Sequence, residues 1–389
     1  MIPTAPASSA GDAAAPGWDA LLDAVARGDG LCAAYQPIVD TTRGSVVGFE
    51  ALARFEGFAE KNPEAWFSAA RARGRSAELE AAALRTALRA RGSLPANCFL
   101  TVNVSPDLLS SADVRRVWRE AGDLGGLVVE LTEQTEIESY LTLEPDLEQL
   151  RAAGALIAVD DAGAGYAGLR HLLALRPSMI KIDRELIRNV DQDEAKRALI
   201  EMLGTFASRV DAWILAEGVE HVEELDTLVT LGVPLVQGYL LARPGPPWVE
   251  IDGNLAHRLA ATHARRGPTP HAHLVRDIVE PATTTSSTAQ AAALFAQDPG
   301  LRSVVIVDAN ARPLAVVEPQ AAALDVAEAG LRINLDTPIA EALARTMTRP
   351  TSTRFEPLLT TDNAGRFTGL ARLERMITVL ATVGQPGSV

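Results

Sequence analysis

Cysteine is scarce, with only Cys32 and Cys98 in 389 residues. Two thiols in so long a chain exclude a disulfide framework and suit a reducing cytosolic compartment, each reading as a buried small residue. No run of eighteen apolar residues occurs, so no membrane-spanning helix is expected. Basic residues are outnumbered, 36 Lys and Arg against 50 Asp and Glu, for a net charge of −14. That balance excludes nucleic acid or an anionic membrane as a partner of the whole surface. A small anionic ligand stays open, because a bound cation inverts the local field. The start has neither a basic segment nor an apolar core, so residues 1–17 read as a disordered tail rather than a signal peptide. What is abundant is apolar character, 47% of the chain, enough for two or three cored domains.

From residue 18 the pattern is regular. A short helix at Asp19–Ala26 precedes two apolar runs, Ala33–Val39 and Ser45–Leu52, joined by Asp40-Thr41-Thr42-Arg43-Gly44 as a hairpin. Strand-like runs follow at Cys98–Val104, Leu127–Leu131, Leu156–Val159, Met179–Ile182, Trp213–Ala216 and Leu235–Leu240. Helical stretches such as Ser76–Ala90, Leu143–Ala152, Glu194–Ser208 and Val222–Leu231 lie between them. Eight strands with intervening helices point to an α/β fold, a (β/α)8 TIM-like barrel with an antiparallel first strand. An open doubly wound sheet would need a Gly-rich phosphate turn after an early strand, and none is seen.

Each of these runs ends on polar residues: Glu50, Asn103, Glu130, Asp160 with Asp161, Lys181 with Asp183, Glu217 and Gln237. Singly, any of them is an ordinary strand cap. In a barrel all such ends meet at one mouth, where a ring of carboxylates is costly unless a cation or a shared proton sits among them. Oxygen donors with no nearby His or Cys select hard cations such as Mg²⁺ or Mn²⁺. The adjacent Asp160 and Asp161, followed by a Gly163-x-Gly165 turn, are suited to spacing two ions.

Gly48-Phe49-Glu50-Ala51-Leu52-Ala53-Arg54-Phe55 resembles the signature of the EAL-domain family, cyclic-di-GMP phosphodiesterases on a barrel fold. The resemblance continues through Tyr35–Ile38, Val102–Ser105, Glu130–Glu133, Lys181–Arg184, Ala216–Glu220 and Gln237–Tyr239. It implies two divalent cations. Glu50, Asn103, Glu130 and Asp160 would hold one, and Asp160, Asp161 and Glu217 the other. Lys181 would orient the attacking water and Glu217 would take its proton, opening the cyclic dinucleotide to linear pGpG. Gln36, Leu52, Arg54, Asp183 and Gln237 resemble substrate-contacting positions, and Glu133 the residue that steadies the loop after Asp161. That loop departs from the family at Ala162 and Ala164, where a Phe and a Thr are usual. The departure implies that its order depends on ligand or on a partner subunit, since the family pattern is a homodimer.

After Ala242–Pro247 closes the barrel, a linker helix and loop span 251–273, and residues 274–385 carry a faint internal repeat. Each half reads helix, strand, turn, strand, helix, which resembles a tandem CBS pair: a smaller α/β regulatory domain whose family often binds adenine nucleotides. Where that family has a Thr or Ser and then an Asp for the ribose, this chain has Glu318–Ala321 and Arg372–Arg375. A dimerising or sensory module is therefore the reading, with a nucleotide as its candidate ligand. No synthase domain is expected, the chain before residue 20 being too short for one. The readings, in order, are a cytoplasmic cyclic-di-GMP phosphodiesterase on a barrel spanning 18–250, a catalytically silent receptor or scaffold on the same fold, and a metal-assisted enolising enzyme with Lys181 as base.

Overall fold

A computed structural model describes residues 17–132, 140–160, 172–210, 212–265, 273–335, 337–347, 349, 353–362 and 365–383. Eight strands close into a barrel: β1 (Leu31–Asp40), β2 (Ser45–Phe55), β3 (Phe99–Val104), β4 (Leu127–Leu131), β5 (Leu156–Val159), β6 (Met179–Ile182), β7 (Trp213–Ala216) and β8 (Leu235–Val236). Strand β1 runs antiparallel to both of its neighbours, β2 and β8, and every other pairing in the barrel is parallel. The hairpin and the antiparallel first strand stand as expected.

The barrel interior shows why the site lies where it does. One apolar residue from each strand forms a plug: Ile38, Val47, Phe99, Val128, Ala158, Met179, Leu215 and Leu235. Gly48 makes room for it, since a Cβ there would overlap the Phe99 ring. Side chains along a strand alternate, so the residue two positions on faces the same interior. That residue is Glu130 after Val128, Asp160 after Ala158, Lys181 after Met179, Glu217 after Leu215 and Gln237 after Leu235. On the reversed β1 it is Gln36, two before Ile38. Polar chemistry therefore sits as a layer on an apolar floor.

Helices α1 (Trp18–Ala26), α2 (Pro63–Ala72) and α3 (Ser76–Leu88) pack over the first strands. Trp66, fully buried as expected, stacks on Phe55 with centroids 4.2 Å apart and donates Nε1 to the Glu60 carbonyl at 3.0 Å. Further round the barrel lie α4 (Ala112–Ala121), α5 (Tyr140–Ala152), α6 (Glu194–Val210), α7 (Val222–Leu231) and α8 (Gly253–Arg265). Two expectations are corrected. The eighth strand is only two residues long, because Gly238 lies so close to the Val219 backbone that the chain turns there: a Cβ would overlap the Val219 carbonyl oxygen. Cys32 and Cys98 are half-buried rather than buried, and are not joined to one another.

Residues 273–383 include two small sheets. One has strand order β12 (Glu328–Ala329), β11 (Pro313–Val317), β10 (Val304–Val307), β9 (Thr284–Thr285), and the other β13 (Arg332–Asn334), β14 (Leu358–Thr361), β15 (Phe367–Ala371). The internal repeat is real at the level of atoms. Hairpins β10–β11 and β14–β15 carry the same register shift one pair before the turn, between Ile306 and Val307 and between Thr360 and Thr361. In both, an Asp closes the turn, Asp308 accepting from the Arg312 amide and Asp362 from the Arg366 amide. This module abuts the end of the barrel opposite the mouth. Arg312 donates to the Gly154 and Ala155 carbonyls and Asn310 Nδ2 to the Ala152 carbonyl, at the turn between α5 and β5.

One buried carboxylate braces the first half of the barrel. Glu80 on α3 is 5% exposed and accepts from the Ser105 amide and hydroxyl. Burial pushes its carboxyl up to about 7 against the pull of those two hydrogen bonds, with Asp107 adding to the rise and Arg71 opposing it. An unfolded glutamate titrates near 4.5, so the folded state retains a proton that the unfolded chain has released. The stabilisation this group gives is complete below that value and is lost as pH rises through about 7. Glu80→Gln is expected to gain stability relative to wild type as pH rises from about 5 to about 8, by at most roughly 1.4 kcal/mol per pH unit. Urea denaturation across that range measures the difference.

Candidate active site

Seven parallel strands and the reversed β1 aim their polar residues into one mouth. At its centre the Lys181 ammonium, 2% exposed, stands among four carboxylates. Its Nζ lies 2.5 Å from Glu217 Oε1, 2.7 Å from Glu130 Oε2, 3.5 Å from Asp160 Oδ1 and 3.6 Å from Glu50 Oε1. A second web of amides ties β1, β2, β3 and β8 together. Asn103 Nδ2 donates to Glu50 Oε1 at 2.9 Å, and Gln237 Nε2 donates to Glu50 Oε2 at 2.6 Å and to Gln36 Oε1 at 3.1 Å. Gln36 in turn donates to the Ala242 carbonyl at 3.0 Å, so the segment closing the barrel is part of the same network.

The acids do not titrate alike. Burial raises Glu130 to about 8; Lys181 works against this and Glu50 and Asp160 reinforce it. Glu217 is likewise pushed well above the usual range by burial, against the pull of Lys181. Glu50 goes the other way: burial opposes its ionisation, but Lys181 and the amides of Asn103 and Gln237 hold its carboxyl below the usual value. Burial would neutralise Lys181, yet the surrounding carboxylates hold its ammonium well above the ordinary value. The ring therefore carries more negative charge than one ammonium satisfies, and retains protons that a stronger cation would displace.

Of the positions expected from the sequence, Gln36, Glu50, Asn103, Glu130, Asp160, Lys181, Glu217 and Gln237 come together in this mouth. Leu52 and Arg54 follow Glu50 on the same face of β2, both half-buried, and Arg54 donates to the Ala53 carbonyl at 2.8 Å. Asp183 follows Lys181 at the end of β6 and caps the helical turn Arg184–Ile187, its Oδ1 accepting from the Glu185 amide at 2.8 Å. Glu133, Asp161, Ala162 and Ala164 lie outside the described residues.

The donor set fits a hard divalent cation: three glutamates, an aspartate and an asparagine, with the buried Glu130 Oε1 receiving no hydrogen bond. Among the described residues no group of three or more His, Cys, Asp and Glu side chains has the spacing of a metal site. Lys181 itself occupies the point on which the carboxylates converge. Two supports have no clear mark in the sequence. Glu224 on α7, 2% exposed, accepts from the amides of Asn189, Glu220 and His221, and so fixes the loop that follows Glu217. Arg184 pairs with Glu220 at 3.0 Å across the mouths of β6 and β7. Only the Glu at the third helical position of α7 signals the first of these in advance.

The model of the EAL domain matches residues 18–244. The chain belongs to the EAL domain family. The cyclic di-GMP phosphodiesterase NbdA of Pseudomonas aeruginosa is 30% identical over 231 residues, 57% of this chain and 30% of NbdA. The PaMucR phosphodiesterase, solved in complex with c-di-GMP, superposes with a TM-score of 0.53 at 29% identity, covering 59% of this chain and 98% of that one. BlrP1 of Klebsiella pneumoniae, solved with manganese and cyclic di-GMP, gives 0.51 at 31% identity, with 56% and 57% covered. The chain spans about a third of the length of the curated relatives it matches, 33%, 28% and 30% for three of them. The EAL match thus concerns the barrel and its mouth.

Lys181→Met removes the central ammonium and leaves four acids facing one another. In chelator-treated buffer the variant is expected to lose about 3–5 kcal/mol of stability, the usual consequence of breaking a buried charge cluster. Millimolar Mn²⁺ should restore more of its stability than it adds to wild type. Thermal denaturation with and without the ion checks both parts.

Proposed function

We propose that the protein is a cyclic-di-GMP phosphodiesterase that opens its substrate to linear pGpG. The observation that carries this reading is the Lys181-centred ring of Glu50, Glu130, Asp160 and Glu217, with Asn103 beside it, on the strand ends of an EAL barrel. Two divalent cations, Mg²⁺ or Mn²⁺, would be held by Glu50, Asn103, Glu130 and Asp160 on one side and by Asp160, Asp161 and Glu217 on the other. When bound, such ions make water acidic enough to ionise near neutral pH. Lys181 would then orient the attacking water, and Glu217, 2.5 Å from the Lys181 ammonium, would take its proton. Arg54 offers its guanidinium to a phosphate of the dinucleotide. Gln36, Leu52, Asp183 and Gln237 hold the rest of the substrate, and Glu133 steadies the loop after Asp161.

The second module is proposed to regulate this site. Arg312 and Asn310 grip the turn at the base of β5, the strand whose other end carries Asp160. Its repeat supports a CBS-like pair, with adenine nucleotides as the ligands to test. A homodimer in the cytoplasm completes the reading. Exposed Leu173 and Met202 offer apolar surface to a second copy, and among the described residues no helix is long and apolar enough to cross a membrane.

Purified protein incubated with cyclic di-GMP and Mg²⁺ or Mn²⁺ should yield pGpG by nucleotide chromatography, and none in chelator. Glu217→Gln is expected to lower turnover at least about a hundredfold while substrate still binds. Glu50→Ala should weaken ion binding and turnover together. Tight substrate binding without pGpG would make the protein a receptor, and neither binding nor cleavage would refute both readings.

A further inference from the structure

We infer that Glu80, on the outer helix α3, is a positioning residue for Asn103 and through it for the cation site. The inference rests on the proposed function, since it concerns the same ring. Asn103 is the second-last residue of β3, and Ser105 is the first residue beyond the strand. Ser105 precedes Pro106, which has no N–H to donate, and the proline holds Ser105 extended at φ −70° and ψ 126°. The Ser105 amide is thus the last donor before the chain turns into the short helix Pro106–Leu108, and Glu80 is its acceptor. The other Glu80 oxygen takes the Ser105 hydroxyl at 3.3 Å. On the opposite side the Val104 carbonyl accepts from the Thr132 amide at 3.3 Å, at the end of β4. Asn103 is therefore carried on a strand end pinned from two directions, by α3 and by β4.

A carboxylate is an expensive choice for that place. Glu80 is buried, its carboxyl is pushed upward, and no cation makes a close contact with it among the interactions described. An apolar side chain would fill the space at lower desolvation cost, but would take the acceptor from the amide of the half-buried Ser105. The strand end would then relax, and the 2.9 Å contact of Asn103 with Glu50 would relax with it. Helix α3 also receives the Tyr35 hydroxyl on its Ala87 carbonyl at 2.9 Å, next to Gln36, so one rigid element references both sides of the amide web.

Mn²⁺ binding to the full chain, read by the loss of the free-ion electron paramagnetic resonance signal, tests the assignment without turnover. Glu80→Leu is expected to weaken Mn²⁺ affinity about tenfold, as loss of an outer support does at other metal sites. Glu80→Gln, whose amide oxygen still accepts from the Ser105 amide, should stay within about twofold of wild type. A merely structural role would lower thermal stability in Glu80→Leu and leave the affinity of the folded fraction unchanged, which would overturn the inference. Equal losses in both variants would also overturn it, because charge rather than the hydrogen bond would then matter. If Glu80→Leu fails to fold, Ser105→Pro deletes the donor instead and should give the same tenfold loss, with wild-type affinity refuting the assignment. Wild type that binds no Mn²⁺ would refute the cation site itself, whereas binding by wild type with an unchanged Glu80→Leu refutes only the role of Glu80.

Discussion

A lysine ammonium buried among four carboxylates is the interaction on which the mouth of this barrel depends. Each of the five groups is costly to remove from water, and none would be tolerated there alone. Their proximity follows from the strands. Glu130, Asp160, Lys181 and Glu217 each sit two residues above a member of the apolar plug, and Glu50 sits two above Gly48, which leaves room for the Phe99 ring. The floor of Ile38, Phe99, Met179 and their partners closes the barrel to water from below, which strengthens every electrostatic contact above it. Removing any one acid changes the balance for the rest, as the opposite shifts of Glu50 and Glu130 show.

The same arrangement explains how much is legible in advance. Strands β4, β5, β6 and β7 begin and end where their apolar runs do, because buried parallel strands have no polar alternation to obscure their limits. The polar residue at the end of each run is then visible as a candidate, and seven such positions, Glu50, Asn103, Glu130, Asp160, Lys181, Glu217 and Gln237, do meet. Gln36 lies inside its run and is singled out only by the family resemblance. Strand β8 is shorter than its apolar run suggests. Tyr239 and Leu240 look strand-like, yet the close approach of Gly238 to Val219 turns the chain before them. That approach depends on the loop after β7, which no local pattern reveals.

Supports from outside the strands are the least legible. Glu80 lies in Ala77-Glu78-Leu79-Glu80-Ala81, where one of two glutamates is buried and the other forms a surface pair with Arg75. Helical spacing alone does not say which of the two reaches the end of β3. The grip of Arg312 on the base of β5 is similarly hidden, because it joins residues 157 positions apart. The kinship of the turns at Asp308 and Asp362 shows in the repeat of the sequence, but the matching amide contacts that close them do not. Carboxylates held by backbone amides, rather than by partners of opposite charge, leave little trace in composition.

The central claim is that Lys181 stands where the carboxylates would otherwise share divalent cations. Anomalous X-ray diffraction from crystals of the full chain soaked in Mn²⁺ tests it most directly. Two peaks at the barrel mouth, in contact with Glu50, Asn103, Glu130, Asp160 and Glu217, are the expected result, with Lys181 moved away from Glu130. No peak in the mouth at saturating Mn²⁺, with Lys181 still bound to Glu130 and Glu217, would contradict the claim.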